Sequence, residues 1–104
     1  MYIVTNRVPV KFEYIEMFEQ RFRNRAGKIE KQPGLVSMQV LKPISENTPF
    51  VVMTIWESEQ AFRNWVESDD FREAHSNPMP KEAFEESGGG LEQFEVIIQS
   101  ASSR

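Results

Sequence analysis

Between Ile55 and Asn77 the chain reads IWESEQAFRNWVESDDFREAHSN. Ile55 and Trp56 end an apolar run. Ser58 then offers a side-chain oxygen to the free N–H groups of a helix start, with Glu57 and Glu59 beside it. Glu59–Val66 is predicted to be a short helix presenting Ala61, Phe62, Trp65 and Val66. Ser68 caps again, and Asp69 and Asp70 lie in the first turn of a second short helix ending near His75. Phe71, Ala74 and His75, spaced three and four apart, are its expected inward residues. Asn77-Pro78 breaks the run. The only histidine of the chain thus closes a helical segment lined with aromatic residues.

Working outward, residues 50–56, FVVMTIW, are apolar at nearly every position, as in a strand covered on both faces. Tyr2–Val8 alternates, with Tyr2, Val4, Asn6 and Val8 on one face and Ile3, Thr5 and Arg7 on the other. From Lys11 to about Lys31, Phe12, Ile15, Phe18, Phe22, Ala26 and Ile29 recur every three or four positions, which predicts one helix of about six turns. Pro33-Gly34 stops it. Leu35–Ile44 is a second predicted strand, with Val36, Met38 and Val40 facing one way and Leu35, Ser37, Gln39 and Leu41 the other. Residues 77–90, NPMPKEAFEESGGG, read as a long, flexible, partly acidic loop, either a tether or a mobile lid. Leu91–Gln99 is a last strand with Phe94, Val96 and Ile98 on one face, and residues 100–104 form a disordered tail. This order is βαββαβ, a ferredoxin-like α+β sandwich over residues 1–99, with a four-stranded antiparallel sheet and its helices on one face. Two helical segments cover only one side of the sheet, while its third strand is apolar on both. A homodimer joined through the bare faces, a dimeric α+β barrel, is therefore expected.

The 104 residues suffice for one domain. A domain this small buries only roughly 60–65% of its unfolded surface, so a second copy or a bound ligand would add to a thin core. No cysteine is present, which excludes disulfides, thiolate zinc sites and cysteine nucleophiles. The 12 basic and 16 acidic side chains give a net charge of −4, against the basic footprint that nucleic-acid binding needs. No apolar run approaches the roughly 20 residues of a membrane span, and MYIVTNRVPV lacks the charged and apolar regions of a signal peptide. A cytoplasmic protein with neither nucleic-acid nor membrane partners is expected.

Few residues offer chemistry. Asn6 stands on an otherwise apolar strand face. Either it bonds nearby backbone or water, or it aims an amide into a pocket, since a buried amide without a partner costs about 1–3 kcal/mol. His75 is either a helix-end histidine favoured by the dipole or a metal ligand. One imidazole cannot hold zinc, which takes three or four ligands. It can hold haem iron, because the porphyrin supplies the four in-plane nitrogens. No serine or cysteine stands beside a base, and the triple glycine lacks the Gly-Lys-Ser/Thr of a phosphate loop. Arg21 and Arg25 either complement a helix C-terminus or meet the carboxylates of an anionic ligand.

Three features carry a family resemblance. They are Asn6-Arg7, the run RFRNRAGKIEKQPGLVSMQVLKP of residues 21–43, and the W-x-S-x-x-A-F-x-x-W…F-x-x-A-H spacing from Trp56 to His75. Over Met1–Ile98 the chain resembles the IsdG-type haem-degrading monooxygenases of the antibiotic biosynthesis monooxygenase superfamily. The resemblance implies that haem is both cofactor and substrate and that His75 ligates its iron. It further implies that Trp65 bends the macrocycle and that Asn6 hydrogen-bonds near the iron. Phe22, Phe71 and Arg25 would complete the haem contacts. O₂ and an external electron donor are implied as well, the donor being a separate reductase, because no flavin or nicotinamide motif is present. Trp56 is not the family's site tryptophan and is expected to pack. Three other readings stay open: a non-catalytic haem carrier, a cofactor-free monooxygenase acting on an aromatic substrate, and a dimeric module without a ligand.

Overall fold

Tyr2–Val8 (β1), Leu35–Leu41 (β2), Phe50–Trp56 (β3) and Gly90–Glu95 (β4) form one sheet in the order β2-β3-β1-β4, with every neighbouring pair antiparallel. The computed structural model describes residues 1–102. Of the expected tail, residues 100–102 are exposed and without regular structure, and Ser103 and Arg104 lie outside the described residues. Three α-helices, Ile15–Arg23 (α1), Glu59–Val66 (α2) and Asp69–Ala74 (α3), accompany the sheet. The ferredoxin-like α+β arrangement is as expected. Among the described residues no helix is long and apolar enough to cross a membrane.

The alternation of β1 and β3 decides which face is covered. Val4, Phe50, Thr54 and Trp56 are buried and point to one side, where the helices lie. Val4, Trp56 and Trp65 form the central cluster, against which Tyr2, Ile29, Leu35, Ala61, Phe62 and Phe71 pack. Trp56 is wholly buried, and its Nε1–H donates to Thr54 Oγ1 at 2.8 Å, so it packs as expected and its one polar atom is satisfied. A second cluster holds α1. Phe18 meets Phe50 edge-on at 4.8 Å between centroids and Phe22 at 5.0 Å. The opposite face, with Ile3, Val51, Met53, Ile55 and Leu41, carries none of these clusters.

The predicted helix over 11–31 is broken in three. Phe12–Tyr14 is a 3₁₀ turn, α1 ends at Arg23, and Ile29–Lys31 is a second 3₁₀ turn. Asn24 caps α1, Arg25 Nη1 donates to the Phe22 carbonyl at 2.9 Å, and Gly27, with a left-handed φ of +72°, then turns the chain. Arg25 is then pinned to Glu30 at 2.9 Å. Ile29 still reaches the central cluster, so the periodicity runs on through a break in the backbone. Phe12, the first residue of the predicted stripe, is 85% exposed.

Two strands end early, at Leu41 and Glu95 instead of Ile44 and Gln99. A register shift between Leu35 and Ser37 places Leu35 opposite Trp56, on the same face as Met38 and Val40, whereas strict alternation put it on the other. The loop of residues 77–90 is tied down in its middle. Lys81–Ala83 forms a 3₁₀ turn, and Ala83 is fully buried. Its carbonyl accepts from Lys11 N–H at 2.8 Å, and Glu85 N–H donates to the Pro9 carbonyl at 2.8 Å.

Gly34 joins the second 3₁₀ turn to β2 at φ +86°, and a Cβ built there would stand 2.5 Å from Ala61 Cβ on α2. Gly34→Ala is expected to destabilise the fold by about 2–3 kcal/mol, from a left-handed backbone and an overpacked contact together. Urea denaturation measures the loss.

Candidate functional site

Between the two aromatic clusters the helix face of the sheet lies bare. The register aligns Val40, Val52, Asn6 and Leu91 in one row across all four strands. The next row on one side is Thr54 and Val4, beneath Trp65, and on the other Phe50 and Val8, beneath Phe18. These flanking rows are four residues apart along each strand, about 13 Å. Nothing comparable covers the row between them. Asn6 is exposed, Leu91 is 55% exposed and Val40 37%, although all three face the helical layer, while Val52 between them is half-buried. The result is a mostly apolar trough with one amide in its floor.

The flanking row of Val4 is held by Trp65, which belongs to the segment between Ser58 and His75. Ser58 accepts from Ala61 N–H at 3.2 Å and starts α2. Ser68 joins the two helices. Its Oγ donates to the Trp65 carbonyl at 2.7 Å and accepts from Phe71 N–H at 3.1 Å. Trp65 is buried, Phe71 meets it edge-on at 5.3 Å, and the His75 ring lies 4.1 Å from Phe71 at an interplanar angle of 32°. Trp65, Phe71 and His75 therefore form one continuous aromatic series. Asn6 stands on the same sheet face, two residues along β1 from Val4 in the Trp65 cluster.

His75 is the C-cap of α3 and is exposed. The inward pointing expected of Ala74 and His75 is not found: only Phe71 of the three is half-buried. A helix of six residues ends before its stripe can complete a second turn against the sheet. The ring is nonetheless oriented, because His75 Nδ1 lies 2.8 Å from the Phe71 carbonyl oxygen. A carbonyl only accepts, so in the neutral ring Nδ1 carries the proton and Nε2 keeps its lone pair. That is the arrangement of a ligand histidine, whose other nitrogen bonds a backbone carbonyl. Among the described residues no cluster of three or more His, Asp and Glu could hold a metal ion. Any metal at His75 must bring its other ligands with it, as haem iron does.

The remaining predicted contacts are placed as follows. Phe22 is half-buried against Phe18 and helps line a depression with Glu19, Arg23, Val40, Lys42 and Phe50. Within it, the hydrogen bond from Lys42 at 2.7 Å, aided by Arg23, holds the Glu19 carboxyl below its ordinary range. Arg25 is exposed and engaged by Glu30, so a ligand carboxylate would have to exchange with that partner. Val40, Val52 and Leu91, which floor the trough, were not singled out in the sequence. Each sits in an alternating strand, but only the pairing register shows that they share a row with Asn6.

The family described as antibiotic biosynthesis monooxygenase matches residues 1–77. A protein of Staphylococcus haemolyticus described as heme oxygenase (staphylobilin-producing) is 42% identical over 79 residues, covering 74% of this chain and 75% of its own. A solved structure of the heme-degrader MhuD from Mycobacterium tuberculosis, with two hemes bound in its active site, is 28% identical. It covers 97% of this chain and 100% of that one, at a TM-score of 0.78. A variant of MhuD with two manganese protoporphyrin IX molecules per active site is 26% identical, covers 98% and 100%, and superposes at a TM-score of 0.81.

Ser68→Ala removes both bonds of the hinge between α2 and α3. A loss of about 1 kcal/mol is expected, and amide exchange at Phe71 should speed up before that of the sheet. Hydrogen–deuterium exchange resolves the two.

Proposed function

The chain belongs to the antibiotic biosynthesis monooxygenase family, and on that premise we propose that it is a haem-degrading monooxygenase, with haem both bound group and substrate. The observation that carries the proposal is His75, a lone imidazole whose Nδ1 is engaged by a backbone carbonyl while Nε2 makes no hydrogen bond among the described residues. It ends the aromatic series Trp65–Phe71–His75, whose Trp65 packs on the strand row that flanks an uncovered, mostly apolar trough. The 42% identity to a heme oxygenase supports the same reading.

The residues fit the group. A flat apolar macrocycle suits a floor of Val40, Val52 and Leu91 between aromatic walls. His75 Nε2 would hold the iron. Phe71 and Phe22 would meet the ring from either wall, and Arg25, or Arg21, would take the carboxylates. Trp65 packs against Val4, Trp56 and Phe71, and its indole, held by them, would bend the macrocycle. Asn6, exposed in the trough, would donate its amide N–H near the iron. Bound haem would supply the iron at which O₂ is reduced with electrons from a separate reductase, and its own macrocycle would be the substrate that is opened, releasing the metal. The enzyme acts in the cytoplasm.

A second copy would cover the other face of the sheet. There Ile3, Met53, Ile55 and Leu41 form an apolar strip, continued by Phe94 at 50% exposure. A homodimer is the state that buries it. Sedimentation should give a dimer, and Ile55→Glu should give a monomer.

Haemin titrated into the protein should develop a Soret band that decays in air with a reductant, and His75→Ala should abolish the ligation. A bound band that persists under reductant in air identifies a carrier instead. No band shift at all, with oxygen uptake on a phenol or quinol, identifies a cofactor-free monooxygenase.

A further inference from the structure

Helix α3 carries the proposed iron ligand, yet little of it is buried. Of its six residues only Asp70 and Phe71 are half-buried, and Phe71 makes the aromatic contact to Trp65. The Phe71 contact and the Ser68 cap hold the start of the helix, and the far end that carries His75 takes its roll from further contacts. A second anchor comes from the connection that follows α1. Lys28 Nζ lies 2.9 Å from Glu73 Oε2 and 4.0 Å from Asp70 Oδ1. Gln32 Nε2 donates to Asp70 Oδ2 at 3.0 Å and to the Lys28 carbonyl at 3.1 Å. The Gln32 side chain is thus tied to the Lys28 backbone as well as to α3. Asp70 and Glu73, three apart, share a flank of the helix different from the one that Phe71 turns to Trp65.

The break in the helix after Arg23 makes this grip possible. The left-handed Gly27 turns the chain, and the Arg25–Glu30 pair closes the turn. A continuous helix to Lys31 would carry Lys28 and Gln32 along another path. All these ion pairs are partly exposed, so they add little to global stability. Aligning a ligand lone pair is more demanding. Groups that orient a metal-binding histidine commonly govern affinity by roughly 10–100-fold.

We infer that Lys28 and Gln32 are positioning residues: by gripping Asp70 and Glu73 they fix the roll of α3 and so the direction in which His75 Nε2 meets haem iron. The inference rests on the haem reading above. The test is a double-mutant cycle with His75 on the full chain, read by haemin titration and by the ferric haem absorption spectrum. K28M/Q32L is expected to raise the haemin Kd about tenfold and to reduce the histidine-ligated spectral form, with K28R close to wild type. In a His75→Ala background the same two substitutions should leave the Kd unchanged, because there is no ligand left to aim. An equal loss in both backgrounds, or no loss in either, overturns the inference. Wild-type affinity and spectrum in His75→Ala alone overturn the haem-ligand reading itself, which is a separate result. Should K28M/Q32L fail to fold, Lys28→Met against Lys28→Arg in the same two backgrounds decides.

Discussion

The contact of Trp65 with Val4 and Trp56 is the joint on which the rest of the structure depends. It docks α2 on the sheet. Phe71 meets its edge, and His75 stacks on Phe71, so the position of the imidazole is inherited from the core and not from a loop. The same packing explains why a trough exists. The nine residues of α1 and the eight of α2 gather over separate rows of the sheet, through Phe18 on Phe50 and Trp65 on Val4. A chain of this length has too little helical surface to cover the row between them. A ligand laid in that gap would bury Val40, Val52 and Leu91 and join two clusters that the protein alone leaves apart.

Much of this is legible in the sequence because it is local. Ser58 and Ser68 announce both helix starts, and both oxygens accept the expected N–H groups. The limits of β1 and β3 follow from alternation and from the apolar run FVVMTIW. What fails is what depends on long-range pairing. The spacing of Phe12, Ile15, Phe18, Phe22, Ala26 and Ile29 suits one helix, but a 3₁₀ turn can return Ile29 to the same core after the backbone has left the helical path. Gly27 was the available signal for that break. The shift between Leu35 and Ser37 has no local mark, since it answers to the fit of β2 against β3. The bareness of Asn6 and His75 reflects what the helices do not reach, which no residue pattern encodes.

The proposed site would divide its tasks among separate elements. The sheet would supply a floor with one amide, α2 a buried indole, the end of α3 a ligand, and the connection after α1 a polar grip on α3. The tautomer of His75 is set locally, by the carbonyl one turn back. Its aim depends on residues more than 40 positions away in sequence, since Lys28 holds Glu73. A site that relied on α3 alone would place its ligand on a helix of six residues, too short to hold its own orientation.

The central claim is that Nε2 of His75 binds haem iron. Because the chain contains a single histidine, labelling that amino acid with heavy nitrogen marks one ring only. Resonance Raman spectroscopy of the ferrous haem complex should show an iron–imidazole stretching band that moves to lower frequency with the label. A haem complex whose iron–ligand band is absent or unmoved by the label contradicts the assignment.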